Sequence, residues 1–385
     1  MKRSTLFIVL AVIAVMLIAW VGCTTKAATE APVAAAPAAD GVSLAAIVTK
    51  WEGSGHADAT SEAFTHWNED EPAEVPPTCA KCHTTDGARD YFGADGTEAG
   101  KVDAAHQIND PVSCIACHST AVAAMTSVKL PSGAVLKDTG VNTACSTCHS
   151  GMGSSTAVKA KIEGLAEDEV IADSTMMGAH YFHAAATHAG SDGYSGFEYA
   201  NKAYYATFQH ADAVNTCTEC HDPHSTHMQE PPAGQASLCS SCHAGVNSYA
   251  DYKTVSMSKV DYDGNGTVEP VYNEIEGMKA LLIKALSGYS GAVAGKTFGF
   301  NPAAYPYAYI DTNADGTLSE EESAFPNQFK GFTPRMLKAA YNLMFVAKEP
   351  GAYVHNPKYA VQLLFDSIED LSAQSGVSIS GLKRP

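Results

Sequence analysis

The sequence predicts a mainly α-helical protein with extensive irregular loop, and two observations carry this prediction. In the last third of the chain, apolar residues recur at helical spacing, and two of these segments open with a capping residue followed by proline. Between residues 46 and 250, short stretches separate five copies of one cysteine–histidine motif. With 385 residues, 45% of them hydrophobic, the chain can bury a core, which excludes wholesale disorder.

Three helices are predicted after residue 270. The first spans residues 273–286. The second opens with the N-cap and N1 pair Thr333-Pro334 and runs to about Ala347, and the third opens with Asn356-Pro357. The apolar faces that we expect to pack are those of Ile275, Met278, Leu281, Leu282 and Leu286 in the first helix and Ala360, Leu363, Leu364, Ile368 and Leu371 in the third.

The charge balance excludes one class of partner. The chain has 42 acidic and 24 basic residues, a formal net charge of −18. Such a surface repels phosphate backbones, so a nucleic-acid partner is excluded, and an electrostatically steered partner is expected to be cationic.

Ten of the 11 cysteines lie in five Cys-x-x-Cys-His motifs. These are Cys79, Cys82 and His83 (motif 1); Cys114, Cys117 and His118 (motif 2); Cys145, Cys148 and His149 (motif 3); Cys217, Cys220 and His221 (motif 4); and Cys239, Cys242 and His243 (motif 5). Only Cys23 is left over.

This motif attaches haem c, because both thiols add to the vinyl groups and the adjacent histidine becomes the proximal iron ligand. Disulfides would not need a histidine after every second cysteine, and zinc sites would not use that histidine so regularly. Successive motifs begin 35, 31, 72 and 22 residues apart, so each stretch of chain wraps little more than its own cofactor. The sequence predicts a fold packed around five covalent haems.

Through these motifs, residues 51–371 resemble the multihaem c-type cytochromes of bacterial and archaeal surfaces and periplasms. The resemblance implies that most irons take a second, distal histidine from elsewhere in the chain. The candidates are His56, His66, His180, His210, His224 and His355, while His106, His183, His188 and His227 are expected to be exposed or packing residues. Methionine is the other distal ligand of such proteins, but no methionine here has a distinguishing context.

Three candidates stand where the family places distal ligands. His224 directly follows motif 4, and His56 precedes motif 1. His355, in residues 351–360, resembles a late segment of nitrite-reductase-like multihaem proteins that returns a histidine to the haems.

The amino terminus predicts export. A basic start and an apolar run to Val21 indicate a signal peptide over residues 1–22, and Val21-Gly22-Cys23 resembles a bacterial lipobox with Trp20 in place of the usual leucine. The alternative is an uncleaved membrane anchor, and both interpretations place the rest outside the cytoplasm. Residues 23–45 then form a lipid-anchor cysteine and Ala/Pro linker, residues 46–250 a pentahaem domain, and residues 251–385 a calcium-loop and helical region docked on the haems.

Two segments of the carboxyl-terminal region predict calcium loops. Residues 311–322 match the twelve-residue EF-hand loop, and residues 261–272 match its first half. The candidate ligands are Asp311, Asn313, Asp315, Thr317 and Glu322 in one loop and Asp261, Asp263, Asn265 and Thr267 in the other. In the latter the twelfth position is Tyr272, so Glu269, Glu274 or a water must close the site. The alternative is a pair of Asx turns without metal.

The predicted function is electron transfer between membrane-linked donors and periplasmic or extracellular acceptors, as in extracellular electron transfer, with redox proteins as partners. The alternative is a multihaem oxidoreductase of a small nitrogen or sulfur compound with one open iron. All five motifs end in histidine, whereas nitrite reductases of this family carry lysine at the catalytic iron, which favours the carrier. An anion-reducing pocket also favours more than the four arginines present. A third hypothesis, stacking into a filament, has no strong self-association signature.

Overall fold

The computed structural model describes residues 43–210, 214–229, 239–246, 248–254 and 258–385. The predicted signal peptide, Cys23 and the linker as far as residue 42 lie outside the described residues. Across the described ranges, no helix is long and apolar enough to cross a membrane.

Helices dominate, with long irregular connections between them, so the predicted mainly helical class is confirmed. The helices are α1 (Leu44–Glu52), α2 (Glu62–Thr65), α3 (Pro77–His83), α4 (Thr85–Phe92), α5 (Cys114–Cys117), α6 (Thr120–Ala124), α7 (Thr143–Cys148), α8 (Ser155–Ile162), α9 (Ala184–Ala189), α10 (Cys217–Cys220), α11 (Val271–Val293), α12 (Pro334–Ala347), α13 (Ala352–His355) and α14 (Pro357–Ser375).

The strands form three antiparallel two-stranded sheets in the described residues. They are β1 (Glu74–Val75) with β2 (His106–Gln107), β3 (Ser127–Lys129) with β4 (Val135–Lys137), and β5 (Phe298–Phe300) with β6 (Ala308–Ile310). In the register, Val75 faces His106, Val128 faces Leu136, and Gly299 faces Tyr309.

The carboxyl-terminal helices α11, α12 and α14 pack together as the sequence predicts. The Thr333 hydroxyl accepts a hydrogen bond from the Met336 N–H (3.2 Å), and the Asn356 side chain accepts one from the Tyr359 N–H (3.2 Å). Both predicted N-caps are therefore present, each followed by proline at N1. The helix predicted over residues 273–286 is longer, running from Val271 to Val293.

The largest apolar core of the described residues lies among these three helices. Met278, Leu282, Leu343 and Leu364 are fully buried in it. Residues from the cysteine-containing half join the same core, namely Val158, Ala179, Ala186 and Phe197. Residues on both sides of the predicted boundary near 250 thus share one core.

One carboxylate ties a loop of the cysteine-containing half to all three long helices. Asp168 accepts hydrogen bonds from the Tyr289 hydroxyl of α11 (2.6 Å), from Nε of Arg335 in α12 (2.8 Å) and from the Gln374 side chain of α14 (3.3 Å). Because these partners come from different helices, the loop around Asp168 fixes their ends relative to one another.

Candidate haem-iron sites

Each Cys-x-x-Cys-His motif lies on one helical turn. Motifs 1 to 4 lie on or end α3, α5, α7 and α10, and motif 5 begins with a 3₁₀ turn. In motifs 2 to 5 the histidine N–H donates to the carbonyl of the first cysteine at 2.7–2.8 Å. Residues three and four apart on such a turn share a face, so both thiols and the histidine point to the same side.

The structure brings every motif histidine against a second histidine from elsewhere in the chain. The five ring pairs, with the distances between ring centroids, are His83 with His180 (6.0 Å), His118 with His224 (6.1 Å), His149 with His56 (6.3 Å), His221 with His355 (6.3 Å) and His243 with His210 (6.0 Å). Each second histidine is one of the candidates for distal ligand.

The ring pairs have the separation that a shared iron requires. A metal–imidazole bond of about 2.0 Å places a ring centroid roughly 3.1 Å from the metal, so imidazoles on opposite sides of one metal have centroids about 6.2 Å apart. The observed 6.0–6.3 Å fits this value in all five pairs. The residues present therefore fit haem irons held between two histidines.

Hydrogen bonds orient three of the motif rings. They join Nδ1 of His83 to the Ala63 carbonyl (2.7 Å), Nδ1 of His149 to the Phe182 carbonyl (2.8 Å) and Nδ1 of His221 to the Thr226 carbonyl (3.2 Å). A carbonyl can only accept, so Nδ1 carries the proton and Nε2 keeps the lone pair that a metal needs.

Burial favours the neutral form of four of the paired rings, those of His56, His180, His83 and His221. It lowers the pKa of His56 to about 4, with His149 adding to the shift, and lowers the pKa of His180 to about 4, with His83 adding to it. Burial also lowers the pKa of His83 and His221. Neutral imidazole is the form that binds metal.

The sixth distal candidate, His66, has other neighbours in the described residues. Its side chain is 60% exposed, its Nδ1 contacts Glu62 at 2.9 Å, and its ring packs edge-on to Trp67 with centroids 5.0 Å apart. His106 contacts Asp90 at 3.2 Å, and His183 is buried with Nε2 2.8 Å from the Phe345 carbonyl. These are the solvent and packing roles expected of unpaired histidines.

The motif thiols show which sites are neighbours. Sγ of Cys82 in motif 1 lies 3.8 Å from the Cys148 carbonyl of motif 3, and Sγ of Cys148 lies 3.5 Å from the Lys81 carbonyl. The thiols of Cys145 in motif 3 and Cys217 in motif 4 also interact. Burial raises the pKa of the Cys117 thiol of motif 2 to about 11, and the nearby Cys145 thiol of motif 3 adds to this shift. Motif 3 therefore adjoins motifs 1, 2 and 4.

Motif 5 extends this arrangement at one end. Cys220 of motif 4 interacts electrostatically with Cys239 of motif 5, which helps burial to raise the Cys220 pKa. The described thiols thus form a branched array in which motifs 1 and 2 adjoin motif 3, and motif 4 separates motif 3 from motif 5.

The loop at residues 311–322 brings two carboxylates, those of Asp311 and Glu322, against its backbone. The Asp311 carboxylate is 3% exposed; its Oδ2 accepts from the Gly316 N–H (2.9 Å), and its Oδ1 is buried without a hydrogen-bond partner in the described residues. The Glu322 carboxylate accepts from the N–H groups of Thr312 (2.8 Å) and Ser319 (3.0 Å). A bound cation would satisfy the orphaned Asp311 oxygen.

A helix residue lies beside the carboxylates of the loop at residues 261–272. One carboxylate oxygen from each of Asp261, Asp263 and Glu274 lies within 4.8 Å of the others. Glu274, in the first turn of α11, is fully buried and accepts from the Tyr262 N–H (2.8 Å). Of the three closures that the sequence leaves open, Glu274 is the one that the structure brings to Asp261 and Asp263.

Sequence reasoning missed a contact at one ring pair. Nδ1 of His355 lies 3.0 Å from Oε1 of Glu349, a buried carboxylate six residues earlier. A glutamate six residues before a candidate ligand histidine, across the turn at Gly351, is the signal that could have found it.

Comparison with known proteins supports the class indicated by the motifs. The C-type polyheme cytochrome OmcC of Geobacter sulfurreducens is 27% identical over 88% of this chain and 48% of OmcC. The C-type polyheme cytochrome OmcB of the same species is 27% identical over 81% of this chain and 46% of OmcB. Both relatives of this chain are named as c-type polyheme cytochromes. These similarities support a multihaem c-type cytochrome.

The extent of the similarity is also informative. The chain spans about half the length of these curated relatives. No family model matches the chain, and no solved structure matches it.

Proposed function

We propose that this multihaem cytochrome is an extracytoplasmic electron carrier with five haem c groups, each iron held by two histidines. The observation that carries the proposal is the set of five ring pairs at 6.0–6.3 Å, one for every motif. When bound, the haems supply a one-electron iron couple at each site. The five motif histidines are the proximal ligands, and His56, His180, His210, His224 and His355 are the distal ones.

The chain itself supplies position and closure. The helical turns hold each thiol pair and histidine on one face, and carbonyl acceptors fix the ring tautomers. With a second histidine paired to every motif histidine, a bound iron would have no position left for a substrate. This favours the carrier over an oxidoreductase of small nitrogen or sulfur compounds.

The first test counts haems and measures their spin state. Pyridine haemochrome quantitation of the purified protein should give five haems per chain, and EPR should show every ferric iron low-spin. The reduced protein should not bind carbon monoxide. A high-spin iron that binds the gas would overturn the carrier and support the oxidoreductase.

A pair of variants tests the ligand assignment. Replacing a distal histidine with methionine raises the potential of that iron. His180→Met should therefore raise one midpoint potential in a spectroelectrochemical titration, whereas His66→Met should change none. If His66→Met moved a potential and His180→Met did not, the pairing of His83 with His180 would be wrong.

Both carboxyl-terminal loops are proposed to bind calcium as structural sites. The orphaned Asp311 oxygen supports one, and the convergence of Asp261, Asp263 and Glu274 supports the other. Isothermal titration with calcium should show two sites, and chelation should lower the thermal unfolding temperature. Glu322→Gln should remove one site, while Glu320→Gln, an exposed position in the same loop, should retain both. Equal binding by the two variants would contradict the loop assignment.

The membrane attachment and partners are proposed from the sequence. Lipidation of Cys23 would hold the protein at a membrane surface, where its acidic charge favours redox partners with a positive patch. Metabolic labelling with radioactive palmitate should label the wild type and not Cys23→Ser. Equal labelling of both would contradict the lipid anchor.

A further inference from the structure

One ring pair has a buried carboxylate attached to it. Oε1 of Glu349 lies 3.0 Å from Nδ1 of His355 and also accepts from the Gly351 N–H at 2.8 Å. The Glu349 residue is 3% exposed, and its second oxygen is buried without a hydrogen-bond partner in the described residues. The carboxylate is thus held against His355 and shielded from solvent.

The turn between the two residues is built for this contact. A Cβ atom on Gly351 would lie 2.5 Å from Cε1 of His355, 2.6 Å from its Nδ1 and 2.8 Å from Oε1 of Glu349. Only glycine leaves room for the imidazole and the carboxylate to meet above the backbone. The contact is therefore fixed by the chain and does not depend on a flexible surface side chain.

The other ring pairs differ in this respect. The hydrogen-bonded motif histidines, His83, His149 and His221, face neutral backbone carbonyls. The remaining histidine–carboxylate contacts in the described part of the chain involve His66 and His106, which lie outside the ring pairs. Asp222, next to His221 in sequence, is neutralised by Lys50 at 2.5 Å.

We infer that Glu349 is a positioning residue that gives the iron between His221 and His355 the lowest reduction potential of the five. The inference rests on the proposed function, because it takes these two histidines as ligands. A carboxylate on the outer ring nitrogen makes the imidazole a stronger donor, which favours ferric iron. A buried negative charge also opposes the arrival of an electron, because the low dielectric screens it weakly.

This assignment places the least easily reduced site inside the array. The thiols of motif 4 adjoin those of motif 3 on one side and motif 5 on the other. An electron that passes from the haem of motif 3 to that of motif 5 through motif 4 must therefore first be transferred uphill in energy.

The test is Glu349→Gln in the full holoprotein, with spectroelectrochemical titration of all haems. Glutamine keeps the size and an oxygen that can accept from Nδ1 of His355, but it removes the charge. The lowest midpoint potential should rise by at least about 59 mV, which for one electron corresponds to a tenfold change in the ratio of oxidised to reduced iron. The other four should stay where they are in the wild type.

The matched control is Asp90→Asn. Asp90 is 3% exposed and contacts Nε2 of His106 at 3.2 Å, so it is a buried carboxylate on a histidine outside the ring pairs. This variant should leave the lowest potential unchanged. An equal rise of that potential in both variants would overturn the inference, because any buried charge would then have the same effect.

Two further variants protect the test. If Glu349→Gln fails to mature, Glu349→Asp retains the charge but withdraws it by one methylene, and the same potential should rise by a smaller amount. In a His355→Met background, Glu349→Gln should cause a smaller rise than in the wild type, because the carboxylate acts through the imidazole. Unchanged potentials in the matured Glu349 variant would overturn the inference.

The two proposals fail differently. Five low-spin haems in the wild type with no response to the Glu349 variant would overturn the inference and leave the electron carrier intact. Fewer than five haems, or a high-spin iron, would overturn the proposed function and the inference together.

Discussion

The two halves of the molecule use apolar residues differently. The carboxyl-terminal half has helices of 23, 14 and 19 residues around a fully buried core. In the cysteine-containing half the motif helices have four to seven residues, and two small apolar clusters, around Phe92 and Trp67, lie beside them. Helices this short are not stable on their own. The haems of the proposed carrier would supply the core that this half lacks.

The largest difference between the two halves should appear when haem is withheld. In a chain produced without haem attachment, α11, α12 and α14 should keep their amide protection, while the motif helices α5 and α10 should lose theirs. Hydrogen–deuterium exchange by mass spectrometry measures both in one sample. Equal protection of the two sets would show that the cysteine-containing half folds without its cofactors.

The next effect sharpens the difference between the cores. Leu282→Ala in α11 removes a fully buried side chain and should lower the free energy of unfolding by about 2–5 kcal/mol. In the chain without haem, Val122→Ala, in the small cluster around Phe92, should lower the free energy of unfolding by a smaller amount. Urea unfolding followed by circular dichroism measures both, and equal losses would contradict two unequal cores.

Helix caps give a smaller effect in the same direction. Thr333→Ala removes the acceptor for the Met336 N–H and should lower the free energy of unfolding by about 0.5–2 kcal/mol. Ser119→Ala removes the acceptor for the Val122 N–H in α6, a helix of five residues. It should lower the free energy of unfolding by less than Thr333→Ala does. A larger loss for Ser119→Ala in urea unfolding would reverse the comparison.

The smallest effect concerns the carboxylate that joins the halves. The Arg335 guanidinium, followed by the Tyr289 hydroxyl, holds the pKa of Asp168 below its ordinary value. A lowered acid pKa stabilises the fold above the unfolded value of about 3.9, and this contribution is lost as the pH falls through the folded value. Asp168→Asn should therefore unfold at a lower temperature than the wild type at pH 7, and the difference should shrink below pH 4. A difference independent of pH would exclude the charge as its cause.

The sequence predicted the long helices well where their signals are local. The caps at Thr333 and Asn356 are each set by one side chain and the following proline. The end of α11 was missed because Gly288 interrupts its apolar face. In the structure a Cβ at Gly288 would collide with the backbone of Ser375, so glycine there allows close approach of α11 to α14. Such a contact depends on a partner that the local sequence does not reveal.

The candidate sites divide in the same way. The motifs are readable because two cysteines and a histidine occupy one turn. The pairing of His221 with His355 was not readable, because it depends on how distant loops meet. Glu349 escaped notice for a related reason, since its contact with His355 depends on the turn at Gly351.

The position of motif 3 beside three other motifs has a consequence for robustness. In a linear chain of haems, one missing haem interrupts electron transfer along the whole chain. Here the thiol contacts of Cys145 and Cys148 reach three neighbours, so the array resembles a junction. If the proposed carrier lost the cofactor at motif 1 or motif 2, the route from the other through motif 3 to motif 5 would remain. Loss of the cofactor at motif 3 would instead separate motifs 1 and 2 from each other and from motifs 4 and 5.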